Sequence, residues 1–245
     1  MAENGVHNTP EEPGLRDAPP GFDMPGLSAL PTVRIDHAEP VCFAELLQSG
    51  FRLAVPDTCT VEAFLRRAMN LSEDYVSTRV QTVFLDGLAV DDLGAAQVRP
   101  GSRLALSAAL PGLVGATMRR SGPLASLRQG VTHAPEHDAP QSGPFLAEVR
   151  LFNRIGEDLA ARMLGLGVYV RAGKFLEFLR SRPEQFWENL RSLTVETTVE
   201  TAMGTDAGSH GGPTTLHRQD LVRDLWTDEE SLRLTLAGSQ PETGA

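Results

Sequence analysis

The chain has 245 residues, with 22 Lys+Arg against 32 Asp+Glu and a formal net charge of −10. Its length allows one large domain or two modest ones, and its acidity argues against general nucleic-acid binding, which depends on cations that neutralise phosphate. Two cysteines, Cys42 and Cys59, are too few for a metal cage or a disulfide framework.

The charge is unevenly spread. Residues 1–48 hold 8 acids and 2 bases, residues 49–130 hold 7 and 9, residues 131–193 hold 8 and 8, and residues 194–245 hold 9 and 3. Each end therefore carries −6, and the middle is neutral to faintly basic. Of the 22 cationic residues 21 are Arg, and Lys174 is the single Lys. The longest apolar stretch, Leu104 to Met118, contains Ser107 and Pro111 and is too short to span a bilayer. No basic segment followed by a hydrophobic run opens the chain. These features predict a cytoplasmic protein with no membrane partner, for which nucleic acid is not the expected partner.

Residues 1–31 hold six Pro and few large apolar side chains, too little to offset the entropy of ordering, and read as a disordered Pro-rich segment. Residues 32–112 read as a folded α+β unit. Val41 to Leu47 is a candidate strand, joined through Gln48-Ser49-Gly50 to the alternating Phe51-Arg52-Leu53-Ala54-Val55 as a hairpin. A helix follows. Thr60 is its candidate N-cap, and Val61, Phe64, Leu65 and Ala68 give one apolar face. Val80 to Leu85 reads as a strand that turns at Asp86-Gly87 and returns as Leu88-Ala89-Val90. Arg99-Pro100-Gly101 leads into a last strand, Arg103 to Ala108.

The order hairpin, helix, short hairpin, last strand is the β-grasp plan. The run Thr60-Val61-Glu62-Ala63-Phe64-Leu65, the turn at Asp86-Gly87, and Val98-Arg99-Pro100-Gly101-Ser102-Arg103-Leu104-Ala105-Leu106 resemble the small sulfur-carrier proteins of thiamine and molybdopterin synthesis. The resemblance covers about a third of the chain. It implies a ubiquitin-like fold and, for a true carrier, a C-terminal Gly-Gly that an adenylating enzyme activates. Here the last strand runs on into Ala109-Leu110-Pro111-Gly112-Leu113-Val114-Gly115-Ala116, without Gly-Gly. A carrier role would need a protease to expose Gly112, with an adenylating enzyme as partner.

The apolar stretch Leu110, Pro111, Gly112, Leu113, Val114 to Met118, ending at Arg119 and Arg120, has two readings. It is a loop that docks on a protein partner with the Arg pair at its rim, or a loop packed back on its own domain. Residues 113–144 read as a linker, with several Pro and scattered Gly and Ser. Residues 145–193 read as a small helical unit. Val149, Phe152, Ile155, Leu159, Met163 and Leu166 give a first helix, Phe175 to Leu179 a second, and Phe186, Trp187, Leu190 and Leu193 a third that Ser181 would cap. Val168-Tyr169-Val170 is one short strand or an extended link. Residues 194–245 read as an acidic, largely flexible tail with one short amphipathic helix around Leu221, Val222, Leu225 and Trp226, and with a capping-box pattern at Thr227-Asp228-Glu229-Glu230.

Little in the sequence points to catalysis. His133, His137 and Asp138 have metal-like spacing, but Pro135 breaks the helix that would bring them together. Cys59 precedes a helix N-terminus, where a thiolate is stabilised, and no His is an obvious base for it. Gly208-Ser209-His210-Gly211 lacks the pattern of a nucleophile elbow. The expectation is therefore a β-grasp domain followed by a small helical unit, acting without cofactor or metal as an adaptor or subunit. A processed sulfur carrier is the alternative, and a metal-dependent enzyme is a weaker one.

Overall fold

The structure is a computed structural model and describes residues 24, 26–27, 29–109, 112–120, 122–124, 127, 132, 142–196, 213–218 and 226–237. The expectations for residues 1–23, for His133, His137 and Asp138, and for Gly208 to Gly211 lie outside the described residues.

The protein is α+β, with several helices on one large mixed sheet. The first strand, β1 (Thr32–His37), buries Val33, Ile35 and His37 in strict alternation. The hairpin expected next does not form. Pro40–Phe43 is a 3-10 turn and α1 (Ala44–Ser49) follows it. Phe43, Leu46 and Leu47 are spaced i, i+3, i+4, Pro40 sits in the first turn, and Ala44 and Glu45 favour helix, so the segment's period is helical. Strand β2 (Phe51–Val55) is where the sequence puts it. After β3 (Cys59–Thr60), the Thr60 side chain accepts a hydrogen bond from the Ala63 amide at 3.2 Å, as an N-cap should. The helix it caps, α2 (Val61–Ala63), continues as a π-turn over Phe64–Ala68. A short helix α3 (Glu73–Thr78), capped by Ser72, leads to β4 (Thr82–Leu85) and β5 (Leu88–Ala89). Asp86 and Gly87 between them have φ of 52° and 87°, the pair of positive values that a tight two-residue hairpin turn needs. Strand β6 (Gln97–Val98) pairs with β3, and β7 (Arg103–Ser107) is the expected last strand of this half. Gly112–Met118, expected to be a loop, is helix α4.

The second half is not a helical unit. Residues 145–152, FLAEVRLF, bury Phe145, Ala147, Val149 and Leu151 in alternation and form β8 (Phe145–Phe152), so Val149 and Phe152 belong to a strand. Helix α5 (Arg154–Leu166) begins only after Asn153, whose φ of 54° makes the sharp corner. It buries Ile155, Leu159 and Met163 along one face and ends at Gly167, φ 83°. Strand β9 (Val168–Arg171) and helix α6 (Ala172–Arg180) follow as expected. Ser181 closes α6 instead of capping the next helix. That next helix, α7 (Glu184–Asn189), is short, and Leu190 and Leu193 lie in β10 (Leu190–Glu196). The tail adds β11 (Thr214–Thr215) and β12 (Ser231–Leu236). Leu221, Val222 and Leu225 lie outside the described residues. The Glu230 carboxylate does accept from the Thr227 amide at 3.3 Å, but in a turn entering β12 and not in a helix.

The sheet order is β11-β10-β1-β12-β9-β2-β8-β7-β4-β5. Two pairs are parallel, β1 with β12 and β7 with β8, and the other pairs are antiparallel. Of these neighbours only β11-β10, β8-β7 and β4-β5 are consecutive in the chain. β12, from the tail, lies between β1 and β9, and β8 lies between β2 and β7. In-register residues share a face, so Val33, Leu234, Val168, Leu53, Ala147 and Leu104 all face the core, where α1, α5 and α6 pack. The opposite face is polar. One row across it runs Arg103, Glu148, Arg52, Tyr169, Arg233, Thr32, Glu196.

Candidate docking surface beside helix α4

Arg120 decides how α4 sits. Its amide donates to the Gln81 carbonyl at 2.8 Å, and its guanidinium donates to the carbonyls of Val76 at 3.1 Å and Val80 at 3.4 Å. Val76 lies in α3, whose C-terminal carbonyls lack intrahelical partners, so a cation there completes them and meets the negative end of the helix dipole. Burial lowers the Arg120 pKa, against the pull of Asp91 and Glu62. Arg120 is therefore a tether and not a solvated rim residue, while Arg119 beside it is exposed. Leu113, on α4, is 72% exposed. Gly112 is exposed with φ 77°, and Gly115 is buried. Val114 lies within α4, and Leu110 and Pro111 are outside the described residues.

Arg120 also forms one wall of a groove of about 510 Å³ between α2, α3 and the loop after β5. Four carboxylates (Glu62, Glu73, Asp91, Asp92) and two guanidinium groups (Arg66, Arg120) line it, so its walls are net acidic. Arg66 is held by Glu73 at 2.8 Å, and Asp92 accepts from the amides of Gly94 at 2.9 Å and Ala95 at 3.1 Å. The groove suits a cationic or amide-rich segment. The sequence missed it because its walls are far apart in the chain.

The cysteines are not poised as nucleophiles. Cys59 is buried in β3 opposite Val98. Cys42 lies 3.7 Å from both ring nitrogens of His37, a contact the sequence does not announce. Burial pushes the Cys42 thiol up to about 11, with Glu39 adding to the shift and Arg182 opposing it. His37 is occupied structurally. One ring nitrogen, Nε2, lies 3.1 Å from the Phe186 carbonyl, and Nδ1 accepts the Glu39 amide at 3.0 Å. These two bonds fix the tautomer with hydrogen on Nε2, and the ring packs on Phe186 and Phe43. Among the described residues no three His, Cys, Asp or Glu side chains gather as a metal site.

Among the described residues no helix is long and apolar enough to cross a membrane. Comparison with family models, with curated proteins and with solved structures gives no match to the chain.

Proposed function

We propose that the chain is a non-catalytic β-grasp interaction module that acts as an adaptor or subunit in a cytoplasmic assembly. The observation that carries this reading is the strand set β2-β8-β7-β4-β5, with α2 and its π-turn over β2. A β-grasp sheet is mixed, with a parallel central pair and a helix across one face. β8 and β7 supply that pair, with β8 in the position a first strand would occupy. The module docks through α4 and the acidic groove beside it, where Leu113 is presented to solvent and Arg120 holds the segment in place.

The sulfur-carrier alternative meets a physical obstacle. Cutting at Gly112 severs β7 from β8, yet β8 is hydrogen-bonded to both β2 and β7. The released carrier would lose its central strand or keep it only as a bound fragment.

The test is affinity purification from the native host with the wild-type chain and with Leu113→Asp. The expected result is a stoichiometric protein partner that the variant loses at an unchanged thermal midpoint. Recovery of the same partner by the variant, or no stoichiometric companion for the wild type, contradicts the reading.

A further inference from the structure

Strands β2 and β9 meet at a single register pair, Arg52 opposite Tyr169. Where they diverge, the polar face of the sheet opens into a cleft of about 60 Å³ lined by Gly50, Arg52, Glu148, Tyr169, Arg171 and Lys174, with Phe51. We propose that this cleft is a binding site for a phosphoryl group, held by Arg52, Arg171 and Lys174.

The charge balance supports an anion. Among the described residues neither Arg52 nor Lys174 makes an ion pair. Arg52 donates to the Ser231 hydroxyl at 2.6 Å, and Lys174 donates to the Ser49 carbonyl at 2.7 Å. The carboxylates at the cleft already hold other cations. Glu148 takes both Nε and Nη2 of Arg150, at 3.1 and 3.0 Å, and Glu229 takes Arg171 at 3.0 Å. Three cations and one carboxylate therefore line the cleft, and Glu229 from outside it engages one of the three. Arg52 is half-buried, and its pKa is lowered first by burial and then by the charge of Arg171, with Glu148 opposing. Holding like charges together in a partly desolvated cleft is costly without a counter-ion.

Size and direction select the class of anion. A cleft of about 60 Å³ admits only a small group. Arg52 comes from mid-strand β2, Arg171 from the end of β9, and Lys174 from the first turn of α6. Three cations converging from different elements match a tetrahedral group with several oxygens better than a flat carboxylate, which one guanidinium satisfies. The amides that open α6 are not part of the site, because Ala172 and Gly173 donate to the carbonyls of Glu230 and Asp228. Gly50, φ 112°, keeps the entrance clear. A Cβ there would lie 3.2 Å from Glu148 Oε1 and 3.6 Å from Lys174 Nζ.

The phosphoryl group could arrive as the free ion or as a monoester whose remainder lies outside the cleft. Calorimetric titration of the full chain with inorganic phosphate, glycerol phosphate and acetate, at constant ionic strength, separates these sources. The expected result is saturable binding of one or both phosphates, with acetate much weaker. Tighter glycerol phosphate identifies a monoester, and tighter inorganic phosphate the free ion. Arg52→Gln should weaken binding about ten-fold or more, the worth of one charge-assisted contact. Lys174→Gln, a change at a half-buried position, should act in the same direction, and Arg103→Gln, two strands away in the same row, should leave binding unchanged. No saturable binding, equal binding of acetate, or an affinity insensitive to both Arg52→Gln and Lys174→Gln overturns the proposal.

Discussion

Two side chains show how far residue type and neighbourhood can diverge. Cys42 is five residues from His37, yet the 3-10 turn folds its sulfur over the ring. The pairing resembles a catalytic dyad by composition, but burial keeps the thiol protonated and two backbone bonds hold the imidazole. Its pKa rises from 9.0 to about 11 on folding. A raised value means that the folded state favours the neutral thiol, so this contribution to stability is complete below pH 9 and disappears as pH rises towards 11. Alkylation of Cys42 in the native protein should accordingly be about 100-fold slower near neutral pH than for an open thiol, with its rate midpoint near pH 11. Iodoacetamide labelling followed by mass spectrometry across pH checks this, and a midpoint near 9 would contradict it. Arg120 diverges in the other direction. Its sequence context suggests a surface rim, but its carbonyl partners lie 40 and 44 residues away. Arg120→Met should cost about 1–2 kcal/mol in urea unfolding, the worth of charged hydrogen bonds in a partly solvated setting. It should also raise amide exchange within α4. Unchanged exchange there would show that another contact holds the helix.

At the scale of elements, local chemistry was legible where it acts locally. The Asp86-Gly87 turn, the Thr60 cap and the strands at Phe51 and Arg103 all form as read, because each depends on residues within a few positions. The errors came from period. Val41 to Leu47 has both apolar content and helical spacing, and the spacing prevails. Val149 and Phe152 fit a helical pattern continuing into α5, but Phe145 to Leu151 alternates and the corner at Asn153 separates strand from helix. β12 was illegible for a different reason. Six residues in an acidic tail form a strand only because β1 and β9 flank it, and that information is held by residues 60 to 200 positions away. Leu234 is fully buried in this strand. Leu234→Ala should lower stability by about 2–5 kcal/mol, the range for truncating a core leucine. A change below about 0.5 kcal/mol by chemical denaturation would mean that the tail does not enter the sheet.

For the whole molecule, the net charge of −10 masks a sheet whose face away from α1, α5 and α6 is rich in arginine. Arg34, Arg52, Arg103, Arg150, Arg171 and Arg233 lie there with Asp36, Glu148 and Glu196. Alternation in each strand was readable, but the common face required the register. The acidic groove beside α4 was hidden for the same reason, since it brings together residues from 62 to 120. The feature that unites the two halves is β8. It follows the Pro-rich stretch, yet lies between β2 and β7, so the first half is complete only when the second half contributes a strand. The most direct test inserts a protease site at 136–138, cuts the folded protein there, and passes it through a sizing column in native buffer. With β8 hydrogen-bonded to both neighbours, the two pieces should co-elute at the size of the intact chain and separate only in denaturant. Separation in native buffer would contradict the shared sheet.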